Sequence, residues 1–355
     1  MSPKYTELTI SRDCGYVMRG MAIMMIVFHN FCHFIPGVTL ENEFEFYSVH
    51  IISLLTPKAT ALQWFFDIMS FFGWYGVPVF IFLTGYGLVM KYERNGTPLE
   101  TGRFLRYNYF KLFFLMLPGI VTLIIATLAF AIPYGDIDSR SIANYICQAS
   151  MLPDVVYPWW KPNPGVFWYF GLTMELYIVY ALLIYHRPKW WMWVCVALSI
   201  ALQLITPPES ETMAWIRHNV TGWATLLVFG ILYGRTLCIR RDVAATIVIL
   251  SALLILPSML DWMTWQFSIL ACVVLAIVVA RWSMRIPGWR DFWIWIGRLS
   301  PMLFVAHPVA RIIILEIFQP RDPVALPLVI YLCLIFLMSL IFRYITKACY
   351  RRWLK

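Results

Sequence analysis

Charge is scarce in this chain. Asp, Glu, Lys and Arg together make up 13% of its 355 residues, about half the usual share, while hydrophobic residues make up 61%. That balance excludes a water-soluble globular enzyme and points to an integral membrane protein. Apolar and polar residues nowhere alternate with period two, as the strands of a closed membrane barrel require, so helices are the expected spanning elements. Low-complexity tracts and clear internal repeats are absent, and no composition shift marks a second domain. Residues 1–355 therefore read as a single transmembrane domain without an appended soluble one. No cleavable signal peptide is expected: the first apolar run is long, follows a mixed polar stretch and precedes no small-residue cleavage site. Of the eight cysteines, only Cys147 falls plainly in an outer loop, which argues against a disulfide framework.

What the chain does have is apolar runs of membrane-spanning length, roughly 17 to 25 residues each. Ten recur, over residues 15–35, 68–90, 108–131, 165–185, 190–206, 219–237, 243–259, 265–281, 294–317 and 325–345. The fold class expected is all-α, a polytopic bundle of about ten transmembrane helices. Lys and Arg concentrate in the connections on the cytoplasmic side of a membrane. With the N-terminus inside, the inner connections hold twenty of them, including Lys4, Arg103, Arg106, Lys111, Arg240, Arg241 and Lys355, against Lys58, Arg140, Lys161, Arg217 and Arg321 outside. Both termini are thus expected in the cytoplasm. The net charge of +9 is mostly an orientation signal, and no nucleic-acid partner is implied.

Two outer connections are long: residues 36–67, with "ENEFEFY", and 132–164, with "LPDVVYPWWKPNPG". Long loops in compact domains are often functional. Trp159 and Trp160 suit an interfacial aromatic belt or, alternatively, a stacking surface for a sugar ring.

Ionisable residues inside the membrane are costly unless they are satisfied, so each marks a candidate site. The first run, "GYVMRGMAIMMIVFHNFCH", carries Arg19, His29 and His33. Arg19 lies near the cytoplasmic edge, and His29 lies ten residues on, about 15 Å deeper, with His33 on its face. Arg19 can hold an anion there or snorkel to the inner headgroups; His29 can act chemically or simply bond a neighbouring helix. An i, i+4 histidine pair can chelate zinc, but no third ligand lies nearby, so no metal is expected. The second run, "GVPVFIFLTGYGL", sets Thr84 and Tyr86 among glycines that allow close helix approach. Arg103, Arg106 and Lys111 follow, suited to inner-leaflet lipid or to a phosphorylated ligand. In "GVFWYFGLTMELYIVY" Glu175 is expected to find a partner such as Arg19 or a histidine. In "WIGRLSPMLFVAHPVARII" Arg298 and His307 repeat the depths of the first run.

In this order the segments resemble the integral-membrane acyltransferase family 3, whose bacterial members acylate cell-surface glycans. Arg19 and His29 match its arginine and histidine ten residues apart. "VFIFLTGYGL" is similar to its aromatic "FFxLSG" segment, with Thr84 for serine. Trp168, Tyr169, Glu175 and Tyr177 match a third segment, and Gly297, Arg298, Ser300, His307 and Pro308 a fourth, where Pro301 replaces the usual tyrosine and puts the local helix geometry in question. The resemblance implies a multi-pass protein of the bacterial cytoplasmic (inner) membrane that moves an acyl group, most often acetyl, from cytoplasmic acyl-CoA to a hydroxyl of a cell-surface or lipid-linked carbohydrate. Acetyl-CoA is then a co-substrate, met by Arg19, Arg103, Arg106, Lys111 and Arg298. His29, Arg19 and Glu175 form the catalytic group, with His29 as general base or transient acyl carrier. His33, Tyr86, Trp168, Tyr169 and His307 contact the acceptor. The competing class is a transporter or flippase using Arg19, His29 and Glu175 as a proton or substrate pathway.

Overall fold

A computed structural model describes residues 10–130, 139–156, 165–236, 244–318 and 324–353. Trp159 and Trp160, together with Lys4, Lys161, Cys238, Arg240, Arg241, Arg321 and Lys355, lie outside them. Among the described residues the chain is all-helical. In order come α1 (Arg12–Cys32), α2 (Val49–Leu55), α3 (Ala61–Phe72), α4 (Gly76–Leu88), α5 (Thr101–Phe130), α6 (Ser139–Ser150), α7 (Trp168–Val179), α8 (Lys189–Ile205), α9 (Glu211–His218), α10 (Val220–Arg235), α11 (Ala244–Ser258), α12 (Trp262–Ser283), α13 (Pro287–Phe318) and α14 (Ala325–Trp353).

Among the described residues, seven stretches are long and apolar enough to cross a membrane. The chain is thus a multi-pass membrane protein. The other three apolar runs lie on α8, α10 and α11, which have 17, 16 and 15 residues. The second span is longer than its apolar run: α3, one tight turn, α4 and a π-helical turn at Val89–Arg94 continue without a break from Ala61 to Arg94. Its start is set by a capping box, in which Thr60 and Gln63 exchange side-chain and backbone hydrogen bonds, a local signal stronger than hydropathy. The outer connection at 36–67 therefore contains α2 and the first turns of α3.

At two of the prolines inside these helices, a hydroxyl nearby satisfies the carbonyl that the proline orphans. Pro301 deprives the Gly297 carbonyl of its partner, and Ser300 Oγ donates to it at 2.9 Å. Pro118 does the same to Phe114, whose carbonyl accepts from Thr346 Oγ1 at 3.4 Å. The residue that departs from the usual Ser-Tyr pair thus leaves α13 continuous.

α1 is the central helix. Val17, Ala22 and Ile26 on it belong to a core shared with α4, α10 and α12, and Ile23, Val27 and Phe31 to a second core shared with α5, α13 and α14. Small residues let backbones approach where packing is tightest: Gly297 of α13 lies directly on the Tyr16 carbonyl of α1. This contact runs α1 and α13 side by side, with Asn30 and Arg311 meeting further along.

Candidate active site

With the Lys- and Arg-rich side taken as inner, Arg19 and Lys111 meet at the inner part of one cavity of about 300 Å³. Thr84, Tyr169, Thr173 and Tyr177 supply its polar wall, and Phe80, Phe170 and Phe304 its apolar one. Along α1 the cavity runs from Arg19 to Ile26, about 10 Å by helical rise. His29 is one turn beyond Ile26. On α13 the lining ends at Phe304, and His307, one turn beyond, has its ring 5.5 Å from that of Phe304. The cavity thus stops just beneath two buried histidines.

His29 Nδ1 lies 2.7 Å from the Ser70 carbonyl oxygen. A carbonyl only accepts, so Nδ1 carries a proton and, in the neutral ring, Nε2 keeps its lone pair. The same oxygen accepts from His33 Nε2 at 3.2 Å, and the two rings are 4.0 Å apart. Ser70 is itself held, since its hydroxyl donates to the Thr39 carbonyl at 2.6 Å. The Thr39 amide donates to Asp67, which pairs with Lys58 at 3.1 Å. The outer loop after α1 is thereby fastened over the histidine pair. His307 donates from Nδ1 to the Leu303 carbonyl at 3.1 Å, and its buried Nε2 has no partner. Arg311 donates to Asn30 Oδ1 at 2.9 Å, its guanidinium 4.4 Å from the Phe34 ring centre.

Of the residues expected from sequence, Arg19, Lys111 and Tyr169 share the cavity, and His29, His33 and His307 lie just past its outer end. Others point elsewhere, for reasons of helix phase. Tyr86, two residues from the cavity-lining Thr84, faces the opposite way, and its hydroxyl bonds the Ile10 carbonyl at 2.9 Å. Trp168 turns from the cavity that Tyr169 lines, into an outer aromatic cluster with Phe44, His218 and Trp223. Arg298 is at the surface, 4.0 Å from Asp13 and over the Tyr16 ring. Arg106 is exposed, and Arg103 lines a separate groove. Glu175 pairs with neither Arg19 nor a histidine: Oε2 accepts from the Val220 amide at 2.8 Å, where the first turn of α10 offers unpaired donors. Its neighbour is another buried carboxyl, Asp154.

Two participants escaped the sequence reading. Ser70 acts through its main chain, which no side-chain pattern reveals. Arg311 carried a signal, since it is an ionisable residue one turn beyond His307 in an apolar run. Among the described residues no group of three or more His, Cys, Asp or Glu side chains is placed to hold a metal ion.

Neither a curated protein nor a solved structure matches the chain. A model of the family described as an acyltransferase domain matches residues 17–346, so this membrane protein belongs to the acyltransferase 3 family.

Proposed function

We propose that the protein is an O-acyltransferase of the bacterial cytoplasmic membrane, moving an acyl group, acetyl foremost, from cytoplasmic acyl-CoA to a hydroxyl of a cell-surface or lipid-linked carbohydrate. The observation that carries this reading is the cavity with Arg19 and Lys111 at one end and His29 one turn past the other. Two cations at the inner edge suit a phosphorylated donor. Aromatic and apolar walls suit an uncharged arm carrying a thioester up to the histidine layer.

With Nδ1 fixed on the Ser70 carbonyl, His29 Nε2 is the base. It takes the proton from the acceptor hydroxyl as that oxygen attacks the thioester carbonyl. The C–O bond forms, the C–S bond breaks, and the proton passes from His29 to the departing thiolate, leaving an ester and free CoA. General-base help of this kind is worth about 10² to 10⁴ in rate. Carbohydrate and donor approach from opposite ends, so the acyl group crosses the bilayer while CoA stays inside.

The test uses purified protein in lipid nanodiscs with labelled acetyl-CoA and candidate glycans. Label is expected in the glycan with wild type and lost by a factor of about 10² or more with His29→Ala. Transfer at the wild-type rate by that variant would overturn the role of His29, and failure of wild type to consume acyl-CoA would overturn the donor class.

A further inference from the structure

Beside the cavity lies a groove of about 470 Å³ that the catalytic step does not use. Its floor is formed by Arg103, Phe104 and Tyr107 of α5, and its wall by Lys91 and Tyr92. The last two stand on the π-helical turn at Val89–Arg94, a rare local geometry often found at functional sites. Lys91 Nζ lies 4.7 Å from the centre of the Tyr92 ring and 5.9 Å from that of Tyr107. Tyr92 and Phe104 meet edge to face at 5.2 Å. Glu100 is the one acid in the lining.

The groove adjoins the cavity. Phe104 packs edge to face on Tyr177 at 5.6 Å, and Tyr177 lines the cavity. On α5, Arg103 and Tyr107 are one turn apart, and Lys111, at the cavity, is one turn further. A single helix face therefore leads from the groove to the Arg19–Lys111 end of the cavity.

We infer that this groove is the seat of the nucleotide end of the acyl-CoA donor, with the purine stacked among Tyr92, Phe104 and Tyr107 and its phosphates held by Lys91 and Arg103. Aromatic rings interleaved with cations are the chemistry that recognises a base and its phosphates. A long ligand that is anionic at one end and neutral along its arm needs such a cationic pocket leading to a cavity that is cationic at its mouth, at Arg19 and Lys111, and apolar and aromatic beyond. The inference rests on the donor proposed above.

Acetyl-CoA and acetyl-pantetheine share the thioester and the arm, and only the first carries the nucleotide. The experiment compares kcat/KM for both in wild type, Tyr107→Ala and Lys91→Ala, and measures binding of adenosine 3′,5′-bisphosphate to each protein by calorimetry. Wild type should prefer acetyl-CoA, and either variant should shrink that preference about tenfold, with weaker bisphosphate binding to match. Tyr107→Phe, which keeps the ring, should retain it. Because acetyl-pantetheine turnover reports on folding and chemistry, a general loss is separated from a nucleotide-specific one. An unchanged preference, with bisphosphate binding intact, would overturn the groove assignment while leaving acyl-CoA as donor. A wild type that turns over neither thioester would overturn both readings.

Discussion

Gly73 lies directly against His29: a side chain on Gly73 would collide with the Cβ of His29 and with the Met25 carbonyl. The tight turn between α3 and α4 is thus pressed onto the helix that bears the proposed base. Ser70, three residues earlier, holds the ring of that base.

Gly73→Ala should therefore push α1 away and lengthen the His29 to Ser70 hydrogen bond. Overpacking of this kind costs about 1 to 3 kcal/mol. The expected result is a lower thermal midpoint in detergent and a larger fall in kcat than in donor affinity. Normal kcat would show that the base tolerates displacement and that the Ser70 contact does not govern it.

Glu175 separates a structural role from a chemical one. Its carboxylate accepts the Val220 amide at the start of α10, and Gln offers a carbonyl oxygen of the same shape. Glu175→Gln should keep most of the activity, whereas Glu175→Ala should destabilise the fold by about 1 kcal/mol through loss of the hydrogen bond to this partly buried amide. Loss of transfer in the Gln variant, at unchanged thermal midpoint, would return Glu175 to the catalytic group.

Much of the bundle was legible because its signals are local and periodic. Each apolar run lies on a helix, and Arg19 and His29, ten residues apart, point within about 80° of each other around α1, close enough to border one cavity. Boundaries governed by caps were less legible: Thr60 starts the second span seven residues before the hydropathy does. The partners of polar residues were the least legible. Glu175 could be recognised as needing one, but that it would be a main-chain amide of α10 depends on how α7 and α10 pack, which no local spacing encodes. Tyr86 and Trp168 sit in motif segments yet face away from the cavity, because a motif fixes position along a helix and not its rotation within the bundle.

The outer loop should respond to pH. Glu43 is buried in it, and burial pushes its carboxyl from 4.5 up to about 7, although the Arg217 guanidinium pulls the other way. A group whose folded pKa is raised takes up a proton on folding, so its contribution is complete below its unfolded value and fades as pH rises through about 7. Hydrogen exchange of residues 36–48 should accordingly quicken between about pH 5 and pH 8, beyond the intrinsic rise of amide exchange. Glu43→Gln should flatten that excess, though not remove it, since burial also raises the Glu41 carboxyl, which pairs with His50 at 2.6 Å. An excess equal in variant and wild type would assign the effect to other groups.

Arg311 offers the sharpest distinction between donor and acceptor. It sits beyond the histidine layer as seen from Arg19, held by Asn30 on the helix that carries His29 and His33, and four residues past His307 on its own. A donor filling the cavity from Arg19 to Ile26 stays a turn short of the histidines, so a guanidinium on their far side meets the acceptor first. Hydrogen bonds to charged groups are worth about 1.5 to 3 kcal/mol, roughly a tenfold to hundredfold change in an equilibrium constant. Arg311→Ala should thus raise the KM for the glycan by about tenfold or more while leaving the KM for acetyl-CoA near its wild-type value. Arg311→Lys, which keeps the charge but loses the planar fork, should fall between. Asn30→Ala should shift the same parameter less, because it loosens the guanidinium without removing it. A rise in donor KM alone would place Arg311 on the acyl-CoA path and reverse the assignment of the two ends.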